Sequence, residues 1–296
     1  MRATIDETRA ATPAEWDRHW SSCASATYFQ SRDWAEIWAA YQPGELQPAA
    51  CLVRFGDGLE AVLPLSRQPV LGGLASRWWC APMTTYGGWL CADPLGPEHV
   101  EALCALVRER LGCVTWRMNP FAAPPPELAA GWSHESDETL AVALGRGYDE
   151  VQRGCAHGHR RAARKAVREG VVVRPAAAHD DWVAYVAAYE DSRRRWGAAE
   201  GHGAALFDEF ERRAGDRCVL WVAEAGGEVL GGLLCLYAPR HVACWHAAVF
   251  EQALAKHPMP LVFLTAIEDA CARGLEWFDF NPSKGLGGVE EFKRRF

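Results

Sequence analysis

The chain has 296 residues, of which 49% are apolar, and it carries 14 tryptophans and a formal net charge of -7. This composition supports a sizeable core in one large domain or in two of about 150 residues, and it excludes a disordered chain and a general nucleic-acid binder. The eleven scattered cysteines include no CxxC pair and do not predict a disulfide framework. No apolar leader or membrane-spanning run is expected, and the sequence favours a cytoplasmic protein.

The first half is predicted to begin with helices. Residues 13–41 have helical periodicity, and Ser31 is the expected N-cap of an amphipathic stretch that contains Trp34 and Trp38. The later elements are a hairpin at 51–65, a strand at 76–83, a helix at 97–111 and strands at 112–120 and 139–144.

The second half contains a local excess of positive charge. Between residues 151 and 174 there are seven basic side chains and one acidic side chain. Such a stripe on an acidic protein indicates one localised anionic partner. The predicted elements are a helix at 159–169 ended by Gly170, a strand at 171–175, helices at 180–196 and 204–214, a hairpin at 218–237, a strand at 241–250, a helix at 260–273 and a strand at 275–280.

The two halves resemble each other in the order of their elements. Residues 51–65 and 218–234 both read as strand, glycine turn, glutamate and strand. In each half a later strand finishes in Asn-Pro, at 119–120 and 281–282. We therefore expect an α+β protein of two tandem units, 1–145 and 146–296, each with a mostly antiparallel mixed sheet flanked by helices.

The final strand raises a question of charge. Asp279 lies in an aromatic run, where an unpaired carboxylate would be costly to bury. It either pairs with a nearby arginine or caps a backbone amide, or it belongs to a reaction site together with the basic tail. The second repeat differs from the first in having Asp279, the loop 284–288 and Phe292-Lys293, so we expect the chemistry there.

Several motifs resemble the Fem-type branch of the tandem GNAT acyltransferases. This branch includes transferases that use aminoacyl-tRNA to build peptidoglycan cross-bridges. The matching residues are Gln30-Ser31-x-x-Trp34, Tyr86-Gly87-Gly88, the basic helix 160–170 with the strand after it, and the ending Asp279-Phe280, Gly287-Gly288, Phe292-Lys293 and Phe296. The resemblance covers most of the chain, and the C-terminal motif is the most specific part.

The resemblance implies two tandem GNAT-like units and acyl transfer onto an amine, with the site in a cleft between the units. It places Phe292 and Lys293 at the reaction centre, where the lysine would offset the charge of the tetrahedral intermediate. Asp279 would either accept the amine proton or orient Lys293. It implies no permanently bound cofactor, and the donor substrate is aminoacyl-tRNA or acyl-CoA.

Two further sets of residues are predicted to bind substrates. A phosphate-bearing donor would lie on the basic helix, whose cations form the rows 160/164/168 and 161/165; the alternative is a solvated helix paired with acidic neighbours. The predicted donor residues are Arg160, Arg161, Arg164, Lys165 and Arg168. The predicted acceptor residues are Tyr86, Trp34, Arg195 and Trp196. His157 and His159 do not belong to a larger cluster, so no metal site is expected.

The sequence departs from the family in two places. Cell-wall members have a lysine shortly after the first motif, whereas this chain has Ile37 and Trp38. The segment after strand 241–250 lacks the glycines with which ordinary GNAT enzymes hold the CoA pyrophosphate. The acceptor is therefore expected to be a small molecule or a peptide, with tRNA as a candidate partner and no DNA.

The sequence thus favours an N-acyltransferase that moves an acyl or aminoacyl group to an amine by direct attack. The alternative is a non-catalytic binding protein for RNA or a phosphorylated ligand.

Overall fold

The structure is a computed structural model that describes residues 3–111, 114–122, 133, 135–197, 201–283 and 287–296. The chain forms two compact units, residues 1–136 and 137–296. The sequence-based division into 1–145 and 146–296 stays a prediction. Within the described residues, no helix combines the length and the apolar character that a membrane-spanning segment needs.

The first unit mixes short strands with three helices in its described part. Its elements are β1 (Ile5–Ala10), α1 (Pro13–Ser22), α2 (Arg32–Tyr41), β2 (Gln47–Pro48), β3 (Cys51–Phe55), β4 (Glu60–Leu63), β5 (Ser66–Val70), β6 (Ala75–Trp79), α3 (Pro97–Leu111) and β7 (Val114–Thr115).

Local capping determines where the first helices begin. Thr12 and Glu15 form a capping box at the start of α1. The Ser31 hydroxyl accepts a hydrogen bond from the Trp34 amide at 3.1 Å, as predicted. The helical stretch predicted over 13–41 is interrupted between α1 and α2, where Tyr28–Gln30 form a single 3-10 turn.

Pro64 lies where the strands of the first unit separate into two sheets. One sheet has the order β1-β3-β4, and the other has the order β2-β5-β6-β7. Proline has no amide hydrogen to donate to a ladder, which explains why pairing stops between β4 and β5. The sequence predicted one mixed sheet here, and this division was not anticipated.

The second unit is built on one six-stranded sheet. Its elements are β8 (Ala141–Ala143), α4 (Tyr148–Gly154), α5 (His157–Arg168), β9 (Val172–Pro175), α6 (His179–Trp196), α7 (Ala204–Glu211), β10 (Cys218–Ala225), β11 (Glu228–Tyr237), β12 (His241–Val249), α8 (Pro258–Ala272), β13 (Trp277–Asp279) and α9 (Gly287–Lys293). The strand order is β8-β13-β12-β11-β10-β9.

The predicted repeat is visible in the pairing of the strands. In the first unit, β6 pairs in parallel with β7 after the crossover helix α3. In the second unit, β12 pairs in parallel with β13 after the crossover helix α8. The other strand pairs within these sheets are antiparallel. The α+β class with mostly antiparallel mixed sheets is therefore confirmed, with the first unit's sheet divided in two.

Candidate active site

The parallel pair β12–β13 places the C-terminal motif. Its paired residues run from His241 with Trp277 to Ala243 with Asp279. Two residues later β12 contains a β-bulge, because Cys235 pairs with Cys244 and Leu234 pairs with His246. Bulges change the direction of side chains and are common beside active sites.

Asn281 connects the two strands just beyond their last pair. Its Nδ2 donates a hydrogen bond to the Cys244 carbonyl at 2.7 Å. Its backbone has φ +58°, a left-handed conformation that asparagine adopts more easily than most residues. The side chain and the backbone of Asn281 thereby fix the turn after β13.

Asp279 is buried and holds this turn. It is 1% exposed. Its Oδ1 accepts hydrogen bonds from the Thr139 hydroxyl at 2.6 Å and from the Asn281 amide at 3.0 Å. The two hydrogen bonds explain how a buried carboxylate is accommodated in the aromatic strand, and one of their donors is a backbone amide. They favour the positioning role over the proton-acceptor role, although the catalytic assignment of Asp279 stays a prediction.

Lys293 reaches this turn from α9. Its Nζ donates a hydrogen bond to the Asn281 carbonyl at 2.7 Å. Burial lowers the pKa of this half-buried ammonium below its ordinary 10.5, and the charges of Asp279 and Glu290 act the other way. Among the described residues the ammonium makes one hydrogen bond, and it has three hydrogens to donate. It can therefore also bind a developing oxyanion.

Aromatic packing anchors the helix that carries Lys293. The rings of Phe292 and Phe296 lie 4.6 and 4.5 Å from the His159 ring, and both contact Phe263 at 5.4 Å. His159 Nε2 donates a hydrogen bond to the Phe292 carbonyl at 2.9 Å. Phe292 is thus partly buried and packs against the core of the second unit, and its catalytic assignment stays a prediction.

The start of α5 holds the same C-terminal segment. The Ala156 amide donates to the Arg295 carbonyl at 2.8 Å, and the His159 ring contacts both phenylalanine rings. His159 is buried in this aromatic cluster, and burial lowers its pKa. The basic helix and the C-terminal motif, which the sequence treated separately, are therefore in direct contact.

The predicted donor residues divide into two groups. Lys165 donates to the Ala255 carbonyl at 2.9 Å and lies 3.6 Å from Glu169, and Arg160 is half-buried. The remaining three, Arg161, Arg164 and Arg168, are exposed. None of the three has an ion pair with another described residue, whereas most arginines elsewhere in the described chain do. They lie at spacings of three and four, so they form one row on a single face of α5.

The predicted acceptor residues of the first unit lie in its core. Trp34 is 0% exposed, and its Nε1 donates to the Thr85 hydroxyl at 3.1 Å. Tyr86 is also buried, with its ring 5.6 Å from that of Phe29. Gln30 donates to the Gly87 carbonyl at 2.9 Å. The first two motifs therefore join each other inside this unit, and the acceptor roles of Trp34 and Tyr86 stay predictions.

The predicted acceptor residues of the second unit lie at the end of α6. Arg195 lies 3.3 Å from Asp191 and donates to the Val249 carbonyl at 3.3 Å, which ties α6 to the end of β12. Trp196 is exposed, just before a glycine that ends the helix in the left-handed conformation. Neither contact identifies an acceptor. Of the loop 284–288, residues 284–286 lie outside the described residues.

His246 is a further functional candidate, outside the site residues that the sequence predicted. The buried Tyr185 hydroxyl donates to the His246 carbonyl at 3.0 Å and lies 2.5 Å from His246 Nδ1. Burial lowers the pKa of His246 to about 3, so the imidazole is neutral at pH 7. No hydrogen bond from its Nε2 to a described residue is seen, and the side chain is partly exposed. Its only signal in the sequence is a histidine in the interior of a mostly apolar strand.

Comparisons with known proteins agree with this architecture. Residues 153–294 match the family model described as "Acetyltransferase (GNAT) domain". No curated protein sequence matches the chain.

Three solved structures resemble the chain at low sequence identity. The crystal structure of FemX has a TM-score of 0.72 at 12% identity, covering 98% of this chain and 93% of that one. The C-terminal domain of a putative lysylphosphatidylglycerol synthetase from Agrobacterium fabrum has a TM-score of 0.54 at 11% identity, covering 96% and 83%. A conserved protein of unknown function from Bacteroides thetaiotaomicron has a TM-score of 0.54 at 8% identity, covering 99% and 95%.

Proposed function

We propose that this chain, an acyltransferase of the GNAT superfamily with a Fem-like fold, transfers an aminoacyl group from aminoacyl-tRNA to an amine of a small molecule or peptide. The observation that carries the choice of donor is the exposed row Arg161, Arg164 and Arg168 on α5. An aminoacyl-tRNA donor would place the reaction in the cytoplasm.

The arginine row suits an extended polyanion. At 1.5 Å per residue, the row spans about 10 Å along α5, which is longer than a single phosphate group. Exposed arginines bind the phosphates of RNA through charge-assisted hydrogen bonds, and this binding weakens with salt. On a chain with a net charge of -7, a row of three cations that form no ion pair with a described residue is unusual, which supports a specific anionic ligand.

The start of α8 argues against a conventional CoA grip. In anion sites at helix N-termini, the free backbone amides of the first turn bind the phosphate. Here α8 begins Pro258-Met259-Pro260, so two of the first three residues have no amide hydrogen. We therefore favour aminoacyl-tRNA over acyl-CoA.

The chemistry requires little from the protein beyond position and charge. The neutral acceptor amine attacks the ester carbonyl of the donor, and the carbonyl oxygen becomes an oxyanion. The C–N bond forms, the C–O bond to the tRNA breaks, and the amine proton ends on the released hydroxyl of the tRNA. We assign Lys293 to the oxyanion, since a positioned cation lowers the energy of that transition state. Asp279 and Asn281 would position Lys293.

Residues 37 and 38 of the first unit support the choice of a small-molecule or peptide acceptor. Ile37 and Trp38 are buried there, in place of the lysine that cell-wall members carry. Neither side chain offers a charge to a nucleotide diphosphate.

Donor identity is tested by offering charged tRNA or acyl-CoA with a panel of amine acceptors, with and without ribonuclease. We expect product that depends on charged tRNA and disappears with ribonuclease. Product from acyl-CoA alone would overturn the donor assignment.

The role of the row is tested with a triple variant, Arg161→Gln/Arg164→Gln/Arg168→Gln. The matched control is Arg146→Gln/Arg240→Gln/Arg295→Gln, which removes three exposed arginines that each have an ion pair. We expect KM for charged tRNA to rise in the first variant and to stay near wild type in the second. Equal effects would mean that α5 contributes only to net charge.

The non-catalytic alternative is less favoured because of the acetyltransferase-domain match. Replacing Lys293 with Ala distinguishes the two. Lost turnover with retained tRNA binding supports the enzyme.

A further inference from the structure

The hairpin β5–β6 of the first unit ends in an exposed apolar tip. Leu71 is 77% exposed and Leu74 is 92% exposed, the highest values among the exposed large apolar side chains of the described chain. The strands pair from Ser66 with Trp79 to Val70 with Ala75, so both leucines lie beyond the last pair. Exposing two large apolar side chains at one loop tip is unfavourable in water.

The backbone of the tip adds a second cost. Leu71 has φ +53° and is followed by two glycines at φ +66° and +92°. A leucine in the left-handed region is less favourable than the asparagine or glycine usual at such positions. The chain therefore keeps an apolar side chain where both solvent exposure and backbone conformation disfavour it, which indicates that the side chain has a partner.

The charge around the tip complements an anionic surface. Residues 61–92 contain no aspartate or glutamate, although the chain carries 38 acidic residues overall. The same stretch contains Arg67 and Arg77. Arg67 donates to the Ser76 hydroxyl at 2.7 Å, and Arg77 lies 5.8 Å from the Trp79 ring. Neither arginine has an ion pair with a described residue.

The positions along the hairpin match the depth profile of a bilayer surface. At about 3.3 Å per residue, Arg77 lies about 10 Å and Arg67 about 13 Å along the strands from the nearer tip leucine. Apolar side chains of interfacial segments enter a membrane to about 5–10 Å, at the boundary of headgroups and acyl chains. With the leucines at that depth, the two arginines and Trp79 lie at the level of the headgroups.

We propose that the β5–β6 hairpin docks the protein on the surface of an anionic lipid bilayer, with Leu71 and Leu74 inserted and Arg67 and Arg77 on the headgroups. Two leucines and two arginines give weak and reversible binding, which suits an enzyme that visits a membrane surface. This contact is independent of the donor assignment and needs no spanning segment.

The test is sedimentation of the full chain with phosphatidylcholine vesicles that contain about one third phosphatidylglycerol, and with vesicles of phosphatidylcholine alone. The main variant is Leu71→Asn/Leu74→Ser. Asparagine tolerates the left-handed conformation, so this variant is expected to fold at least as well as the wild type. A second variant, Arg67→Gln/Arg77→Gln, tests the charges. The matched control is Leu254→Ser, which removes an exposed leucine from the second unit.

We expect the wild type and Leu254→Ser to bind the anionic vesicles and the tip variant to bind at least ten-fold more weakly. The arginine variant should lose the preference for anionic vesicles. Turnover with a soluble acceptor should be unchanged in the tip variant.

Three results would overturn the proposal. The first is that the wild type fails to bind anionic vesicles, and the second is that the tip variant binds them as well as the wild type does. The third is a wild-type dimer, detected by light scattering, that the tip variant does not form, in which case the tip contacts a second copy of the chain.

Discussion

At the scale of single residues, Lys293 is the group whose chemistry depends most on its surroundings. A hydrogen bond to the Asn281 carbonyl fixes the ammonium, and burial lowers its pKa. A lysine exposed to solvent would have neither the fixed position nor the lowered pKa. The sequence motif identifies Lys293 as a candidate, whereas the hydrogen bond to the Asn281 carbonyl defines where its ammonium group lies.

Replacing Lys293 with Met should reduce kcat by about 10²- to 10³-fold, because the oxyanion loses its cation. The control is Arg294→Met, which removes an exposed neighbour paired with Glu290 and should leave kcat near wild type. Steady-state kinetics with charged tRNA measure both. An equal loss in the two variants would contradict a specific role for Lys293.

The pH dependence of kcat follows from the lowered pKa of Lys293. The role requires the ammonium form, so kcat should fall as pH rises through a value below 10.5. In Lys293→Arg this descending limb should move to higher pH, because arginine stays protonated. If the descending limb is identical in the wild type and in Lys293→Arg, it reflects the titration of another group.

Asp279 distinguishes a positioning residue from a base. In Asp279→Asn the side-chain oxygen can still accept from Thr139 and Asn281, so kcat should change by less than about ten-fold. In Asp279→Ala both hydrogen bonds are lost, and the free energy of unfolding should fall by about 1–3 kcal/mol together with kcat. A loss in Asp279→Asn as large as in Lys293→Met would identify Asp279 as the proton acceptor.

At the scale of elements, α9 illustrates how a short helix is held in place. Within the described residues α9 has no buried residue of its own, and its position depends on the rings of Phe292 and Phe296 against His159 and Phe263. The aromatic spacing of the tail could be read from the sequence. Its partners on α5 and α8 are distant in the chain, and only folding brings them together.

Replacing Phe296 with Ala should lower the free energy of unfolding by about 2–4 kcal/mol, because the cavity removes contacts with four aromatic rings. It should also lower kcat of the folded fraction, since α9 carries Lys293. Phe296→Leu is the milder comparison. Chemical denaturation and kinetics measure the two effects. Unchanged kcat in a destabilised but folded variant would mean that the tail does not position Lys293.

The cations of helix α5 divide into an exposed group and a half-buried group, and the sequence could not predict this division. Helical spacing predicts rows of charge on it, and the helix is present over nearly the predicted range. Which cations face solvent depends on α8 and the turn at 251–256, against which the helix packs. Lys165 donates a hydrogen bond to that turn, whereas Arg161, Arg164 and Arg168 are exposed.

At the scale of the whole molecule, histidines whose pKa is lowered in the folded protein should make stability depend on pH. Burial lowers the pKa of His19 in the first unit and of His159 and His246 in the second. In the folded protein these three histidines take up protons less readily than in the unfolded chain, where they titrate near pH 6.5. Stability is therefore fully present above pH 6.5 and is lost as pH falls from there toward the lowered values.

We expect the free energy of unfolding to decrease between pH 7 and pH 5, a range in which most carboxylates remain ionised. His179 acts in the opposite direction, since Glu211 raises its pKa, but it is exposed and contributes less. Denaturant titrations at several pH values measure the trend. The variant His246→Asn should have a weaker dependence, and a wild-type curve that is flat over this range would contradict the prediction.

The sequence by itself determined the class of the fold, the order of the elements, the Ser31 cap and the resemblance to GNAT acyltransferases, because these depend on periodicity and on local motifs. The divided sheet of the first unit was missed, although Pro64 is its local cause.

Only the tertiary structure decided what surrounds each motif. It buried Trp34 and Tyr86 in a core, turned Asp279 toward Thr139 and Asn281, brought His159 against the tail and left Leu71 and Leu74 in solvent. Burial and hydrogen bonding depend on residues that are far apart in the chain, and a linear pattern contains no measure of those distances.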